Sequence, residues 1–432
     1  MYYGSILLKR KENISGNITI EIPSSKSISN RLLIIKYLSN SDLEIENLST
    51  SEDTVMLQDF LQASANKTNN AFNCRNAGTT LRFLLAFLSL KKGQWIIDAD
   101  SRMLDRPLQP LIEILQQLGA DIQMSDKKNI FPITIVGKEL SAIKTPIYID
   151  ENLTSQIVSA LLLISPCIKG ELKLVLPNRQ SSMPYIDMTI NLVNSFGGNI
   201  KKDVKSLICS KSQYKFNAFN VEQDYSSAAF IYLYVFVGKL KNIFINRLQT
   251  SVLQGDFACV EMFWQLGVET VFNTNGAVLN SNETMFNTKT AYSFDLIATP
   301  DLFCPLAVAC FLSGKSAILK NLASLRVKES DRLKNMITEL NKIDNRCYQD
   351  GDDLIIKQQS RDFDMEQLKT KTFVFETYND HRIAMSLSAI ALICRGVEIK
   401  NPSCVAKSFP SFWQQVSKLL YVEMTAINQN AF

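Results

Sequence analysis

The densest run of ionisable residues in this chain is Arg326-Val-Lys-Glu-Ser-Asp-Arg332, and an acid, the chain's single histidine and an arginine follow at Asp380-His381-Arg382. Carboxylates set among arginines and lysines are equipped for two tasks, seating anions and moving protons. Read as a helix, the first run puts Lys328 and Arg332 on one face, with Glu329 and Asp331 beside them. Arg102 and Arg106 have the same spacing before a helix expected from near Pro107, and such a pair calls for an acid or an anion between its members; Asp105 is the acid at hand. Upstream, Pro23-Ser-Ser-Lys-Ser-Ile-Ser-Asn-Arg31 runs straight into Leu32-Leu-Ile-Ile35, which fuses a hydroxyl-rich cationic segment to the start of an apolar helix. Free backbone N–H groups and the positive dipole end gather there, so Lys26, Ser27 and Arg31 mark a seat for phosphate or carboxylate. Taken singly, each segment is equally an ordinary capped or salt-bridged surface helix.

Recurrence separates the two readings. Polar residues feeding a nearly all-apolar helix appear again at Asn76-Ala-Gly-Thr-Thr80 before Leu81–Leu90, at Thr154-Ser-Gln156, at Asp224-Tyr-Ser-Ser227, at Ala298-Thr-Pro-Asp301 and at Tyr378–Arg382. A second, amphipathic helix is expected after each: around Leu57–Leu61, Leu111–Leu118, Met188–Phe196, Val260–Leu266, Leu333–Leu340 and Phe412–Leu420. Gly119 and Gly197 suit left-handed helix caps. The repeat is longer than those of solenoids, so the chain reads as six copies of one βα-type unit. Strands are expected at Ile18–Ile22 and Leu43–Asn47, loops at Ala63–Asn70 and over much of Phe272–Ser293, and a domain boundary near Asn220. Ser181-Ser182 opens a hydroxyl-rich helix start, and Lys407 precedes the last helix. A cation at the start of the helix after Tyr378 opposes the dipole, so something negative, Asp380 or a bound anion, is expected beside it.

Composition bounds the rest. A chain of 432 residues exceeds what one hydrophobic core usually supports, so two domains are expected. The longest apolar runs, Ile157–Ile164 and Ala228–Val237, fall short of the roughly 18 residues of a membrane span, and no secretory leader is read at Met1-Tyr-Tyr-Gly-Ser. Nine cysteines without C-x-x-C spacing fit reduced, mostly buried thiols in a cytoplasmic protein. A single histidine argues against a His-rich metal site, and a net charge of +4 is too small for a nucleic-acid binder.

In order along the chain, Pro23-Ser-Ser-Lys-Ser-x-Ser-Asn-Arg31, Asn76-Ala-Gly-Thr-Thr-x-Arg82, Arg102-Met-x-x-Arg-Pro107, Ser155-Gln-x-x-Ser-Ala-Leu-Leu162, Pro184-Tyr-Ile-Asp-Met-Thr189, Arg326–Arg332, Tyr378-Asn-Asp-His-Arg-x-Ala-Met385 and Ala406-Lys-Ser-Phe-Pro410 resemble the 5-enolpyruvylshikimate-3-phosphate synthases of the enolpyruvyl transferase family. The match runs from about Pro23 to Trp413. The resemblance implies two inside-out α/β domains, each of three βαβαββ units, closing over a cleft that holds the active site. Domain one is expected at 1–23 plus 222–432, and domain two at 24–221. It further implies transfer of the carboxyvinyl group of phosphoenolpyruvate to the 5-hydroxyl of shikimate 3-phosphate, with release of phosphate and without metal or cofactor, on the route to chorismate and the aromatic amino acids. The expected protein is a cytoplasmic monomer whose partners are these two small molecules.

By the same resemblance, Lys26, Ser27, Arg31, Ser155, Gln156, Ser182, Asp301 and Lys328 would bind shikimate 3-phosphate. Lys26, Asn76, Gly78, Arg102, Gln156, Arg332, Arg382 and Lys407 would hold phosphoenolpyruvate. Asp301 would take the proton of the 5-hydroxyl, Glu329 would exchange one with the methylene carbon, and Lys26 and Lys328 would stabilise charge on the oxygens. The sequence departs from the family at Ser24 and Arg75, where glycine is usual, at Phe83, where proline is common, and at Ser324, where some members have an asparagine contacting the shikimate phosphate. These bear on phosphoenolpyruvate affinity and sensitivity to glyphosate. Two rivals are the sister enzyme acting on UDP-N-acetylglucosamine, which usually has Asn after the first lysine and a Cys in the loop before its arginine, and a non-catalytic phosphometabolite-binding relative. Ser27, the cysteine-free stretch Asp98–Asp105 and the presence of Asp301, Lys328 and Glu329 speak against them.

Overall fold

The computed structural model describes residues 3–12, 14, 16–126, 130–150, 153–178, 181–282, 284, 290–360 and 365–426. The chain forms two compact units: unit one is Met1–Pro23 with Glu222–Phe432, and unit two is Ser24–Val221.

Five four-stranded sheets share one plan, in which the first two strands pair in parallel and the other two add antiparallel. In the clearest copy, Ala291–Asp295 lies parallel to Ser316–Lys320, which pairs with Asp353–Ile356 and through it with Cys347–Asp350. A parallel pair needs a crossover and an antiparallel pair only a hairpin, so this order is the βαβαββ unit. Unit two has two such sheets, and its third repeat is reduced to the parallel pair Ile45–Glu46 with Phe219–Asn220 among the described residues. In unit one the chain's first strand, Tyr3–Arg10, sits between Gly396–Lys400 and Leu420–Ala426, and Ile18–Ile20 lies parallel to Ile243–Asn246. Two repeats of unit one are therefore completed from the far end of the sequence, which makes this unit discontinuous.

The helices that start the repeats are α1 (Lys26–Leu38), α3 (Gly78–Leu90), α5 (Ser155–Ile164), α7 (Tyr225–Gly238), α9 (Phe303–Leu312) and α11 (His381–Ser388). Their partners are α2 (Glu52–Asn66), α4 (Gln109–Gln117), α6 (Met183–Ser195), α8 (Cys259–Gln265), α10 (Arg332–Leu340) and α12 (Phe412–Val416). The starting helices occupy the interior: Phe303–Phe311 and Ile157–Ile164 are buried without a break. A helix apolar on every face has to be enclosed, each buried Leu, Ile or Phe being worth about 1.5–3 kcal/mol. The sheets turn one face outward, as the alternating burial of Ala291–Asp295 and Thr372–Phe375 shows, so the layers are inside out. The first turns are tied by caps: Ser25 accepts from Ile28 N, Thr154 from Gln156 N, Asp224 from Ser227 N and Asp380 from Arg382 N.

Three expectations need correcting. Ala63–Asn66 continues α2, which stops only at left-handed Lys67. The strand expected at Leu43–Asn47 is the two residues Ile45–Glu46, because Asn47 takes φ 53° and turns the chain. The last helix ends at Val416, since Leu420 already belongs to a strand paired with Arg10. Within 272–293, residues 283 and 285–289 lie outside the described residues, and Gly276–Ser281 and Ala291–Asp295 are strands. All nine cysteines are free and seven are buried; burial pushes the thiols of Cys209, Cys347 and Cys394 up to about 12.

Candidate active site

Each unit gathers ionisable side chains at the starts of its buried helices. In unit two, Lys26 at the head of α1 pairs with Asp53 in the first turn of α2 at 3.0 Å. Arg31, one turn further along α1, points elsewhere: Nε donates to Thr189 Oγ1 at 2.7 Å, and the terminal nitrogens to Ser159 Oγ, Tyr185 O and Ser27 O at 3.0, 3.1 and 2.8 Å. It thereby ties α1 to α5 and α6 and lies 2% exposed over the ring of Phe83, so burial lowers it to about 10. Phe83, one of the departures, is what backs this guanidinium.

Gly78 opens α3, and a Cβ there would come within 2.6 Å of Arg106 Nη2 and 2.8 Å of Arg82 Nη1. The missing side chain is the room in which the two guanidiniums sit. Arg82 donates to Gln156 Oε1 at 3.0 Å and to Pro107 O, and Arg106 to Asn76 O at 3.2 Å. Arg102 and Arg106 therefore do not share a face. Arg102 stands on the 3-10 turn Ser101–Asp105, bonded to Asp105 at 2.8 Å, while Arg106 is buried; the turn delays α4 to Gln109. Ser155 is the buried first residue of α5, and Ser182, at φ 58°, precedes α6 with its hydroxyl 3.4 Å from that of Ser181. Arg75 sits at φ 47°, the left-handed conformation that accounts for glycine being usual there.

In unit one the charged residues form a single cluster. Asp301 Oδ2 accepts from Arg382 Nη2 at 2.8 Å, and its Oδ1 lies 3.4 Å from Arg332 Nη1 and 3.9 Å from Lys328 Nζ. Arg332 also donates to Glu329 at 2.8 Å and through Nε to Asp380 at 2.9 Å. Lys328 and Arg332 do not lie on one helix: Lys328 closes the 3-10 turn Ala323–Val327, and Asp331 caps a helix that begins only at Arg332. The break lets Lys328, Glu329 and Arg332 reach Asp301 from different directions. The negative group expected beside the Arg382 cation is Asp301, which meets its guanidinium; Asp380 instead caps α11 by accepting from the Arg382 backbone N–H and carries Arg332. Lys407 is buried at the end of the turn Pro402–Lys407.

Burial alone would push Asp301 up, but Arg382, then Lys328 and Arg332 outweigh it and hold the carboxyl well below its usual range. Asp256, at the start of the neighbouring repeat's second helix, goes the other way. Burial and then the charge of Asp301 push it up to about 7, against its hydrogen bond from Ser226 and the pull of Arg382. Sequence reasoning did not give Asp53, Arg82 or Asp256 a place in the site. A shared signal existed: Asp53 lies in the first turn of a repeat's second helix and Asp256 in the 3-10 turn Gly255–Ala258 that leads into one, opposite Lys26 and Ser226 at the head of the first.

The family model for EPSP synthase (3-phosphoshikimate 1-carboxyvinyltransferase) matches residues 55–416. The chain belongs to the EPSP synthase family. The 3-phosphoshikimate 1-carboxyvinyltransferase of Bacteroides fragilis (strain YCH46) is 34% identical over 93% of this chain and 94% of that protein. The one from Buchnera aphidicola subsp. Cinara cedri is 33% identical over 99% of each. The solved EPSP synthase of Acinetobacter baumannii superposes with a TM-score of 0.74 at 19% identity, covering 97% of this chain and all of that one, which shows a common fold. Membership in this family makes the chain a transferase of enolpyruvyl groups and sets aside the UDP-N-acetylglucosamine reading. Among the described residues no helix is long and apolar enough to cross a membrane, and no His, Cys, Asp and Glu group is arranged to hold a metal ion.

Proposed function

We propose that the protein transfers the carboxyvinyl group of phosphoenolpyruvate to the 5-hydroxyl of shikimate 3-phosphate, with the residues named from the sequence as its site. The observation that carries this reading is a pair of carboxylates, Asp301 and Glu329, held on one buried guanidinium, Arg332, among Lys328 and Arg382. The 5-hydroxyl oxygen attacks C2 of phosphoenolpyruvate and yields its proton to Asp301 while Glu329 delivers one to the methylene carbon. The tetrahedral adduct then expels phosphate, which leaves as hydrogen phosphate with the proton Asp301 had taken, as the new methyl group returns a proton to Glu329 and the carbon–carbon double bond re-forms. Bonds and protons balance within the two substrates and two carboxylates, so no metal or cofactor is called for.

The cluster explains why chemistry waits for both ligands. With its cations in place Asp301 is too weak a base, and Glu329 is bound to Arg332. Phosphoenolpyruvate brings a carboxylate and a phosphate that compete for Arg332, Arg382 and Lys407, which raises the proton affinity of both acids. Shikimate 3-phosphate takes Lys26, Ser27, Ser155, Gln156 and Ser182, with Arg31 supplying charge from below. The protein acts as a monomer in the cytoplasm. Phosphate release is the direct test: it is expected only with both substrates together, and its absence under those conditions overturns the reading.

A further inference from the structure

Glu339 has no part in the chemistry above, yet it is fully buried near the end of α10 and collects three donors. Tyr378 Oη donates to Oε1 at 2.7 Å, while Glu376 N and Lys342 Nζ donate to Oε2 at 3.0 and 2.5 Å. Tyr378 opens a left-handed turn of two non-glycine residues, φ 52° at Tyr378 and 56° at Asn379. Such a turn persists only where its surroundings determine it. Asp380 N closes it on Thr377 O at 2.8 Å, and Asn379 Oδ1 accepts from Asn401 Nδ2 at 3.0 Å. Asn401 is itself left-handed and immediately precedes the turn that ends at Lys407. On the other side of the strained pair come Asp380 and Arg382. Helix α10 thus grips this segment twice, through Arg332 on Asp380 at its first residue and through Glu339 on Tyr378 near its last.

We propose that Glu339 and Tyr378 are a positioning pair that fixes this turn, and through it Arg382 and Lys407, for the smaller anionic substrate. The inference rests on the substrate reading above. Tyr378→Phe removes one hydroxyl and keeps the ring. It is expected to raise KM for phosphoenolpyruvate about fivefold, less than the full worth of a hydrogen bond to the Glu339 carboxylate because the loss reaches the ligand only through Arg382 and Lys407, with KM for shikimate 3-phosphate and kcat each within about twofold of wild type. Glu339→Gln keeps a bond to Tyr378, its amide donating to the hydroxyl while its oxygen still accepts from Glu376 N, and should hold KM for phosphoenolpyruvate within about twofold. Amide exchange over residues 377–383, read without substrate, should quicken in Tyr378→Phe and stay near wild type in Glu339→Gln. Equal rises in both KM values, or unchanged exchange in Tyr378→Phe, would overturn the pair. If wild type released no phosphate from the two substrates, the substrate reading would fall and the exchange measurement alone would judge the pair.

Discussion

Arg31 in unit two and Arg332 in unit one are both almost wholly buried, and their surroundings are opposites. Arg31 donates to hydroxyls and carbonyls, and Arg106 in the same unit to a carbonyl and a thioether; among the described residues neither is ion-paired. Arg332 touches Asp301, Glu329 and Asp380. In unit two Arg31 and Arg106, unlike Lys26 and Arg102 beside their acids, hold uncompensated positive charge at a cost in desolvation, and an arriving anion repays it. Unit one stores matched charge that a ligand must exchange. Tight capture suits the first arrangement, and a proton-affinity change on binding suits the second.

The sharpest way to break this comparison is to remove the same residue type from both units. Arg332→Met leaves three acids facing an apolar side chain and should destabilise the unliganded protein by about 3–5 kcal/mol in urea titrations. Arg31→Met should leave stability within about 1 kcal/mol of wild type, or raise it, while weakening shikimate 3-phosphate. Similar losses for the two variants would erase the distinction.

Next in size are the acids of unit one. Asp301→Asn and Glu329→Gln should each lower turnover by about 10² or more, with shikimate 3-phosphate binding less affected in Glu329→Gln. Rapid-quench measurement decides it: wild-type formation and breakdown of the tetrahedral adduct in Glu329→Gln would end its role in proton transfer. Arg102→Ala and Lys407→Ala, one cation from each unit, should cost phosphoenolpyruvate about 1.5–3 kcal/mol and shikimate 3-phosphate less. Calorimetric titrations giving equal losses for both ligands would refute that assignment.

The smallest effect is a slope. Asp256 has a folded value of about 7 against about 3.9 unfolded, so between those values the folded state keeps a proton that the unfolded chain has lost. Stability present below about pH 4 is therefore lost as pH rises towards 7, by at most about 1.4 kcal/mol per unit. Asp301, held low, works with the opposite sign, its contribution being lost as pH falls. Asp256→Asn should flatten the decline between pH 4 and 7, and an unchanged slope would assign it to other groups.

Helix starts were legible in the sequence because caps are local: Ser25, Thr154, Asp224 and Asp380 all bond within three residues of themselves. Lys328 and Arg332 misled for a related reason. Their four-residue spacing fits a helix, yet Asp331 between them is a cap, and a cap ends one element as it begins another. What no local pattern carries is pairing at a distance. Lys26 finds Asp53 across 27 residues and Arg332 finds Asp380 across 48, through the packing of buried helices whose apolar faces look alike in sequence. For the same reason Arg31 read as part of an anion seat at the start of α1, with no sign that α5 and α6 enclose it.

The raised thiols have a practical consequence. A cysteine reagent attacks the thiolate, and at neutral pH Cys209 in unit two and Cys347 and Cys394 in unit one hold almost none of it while their surroundings stay closed. Modification therefore waits for local opening, and each unit carries its own chemical timer. Following mass increments peptide by peptide, with and without the two ligands, would time the opening of either unit separately from a single unlabelled sample.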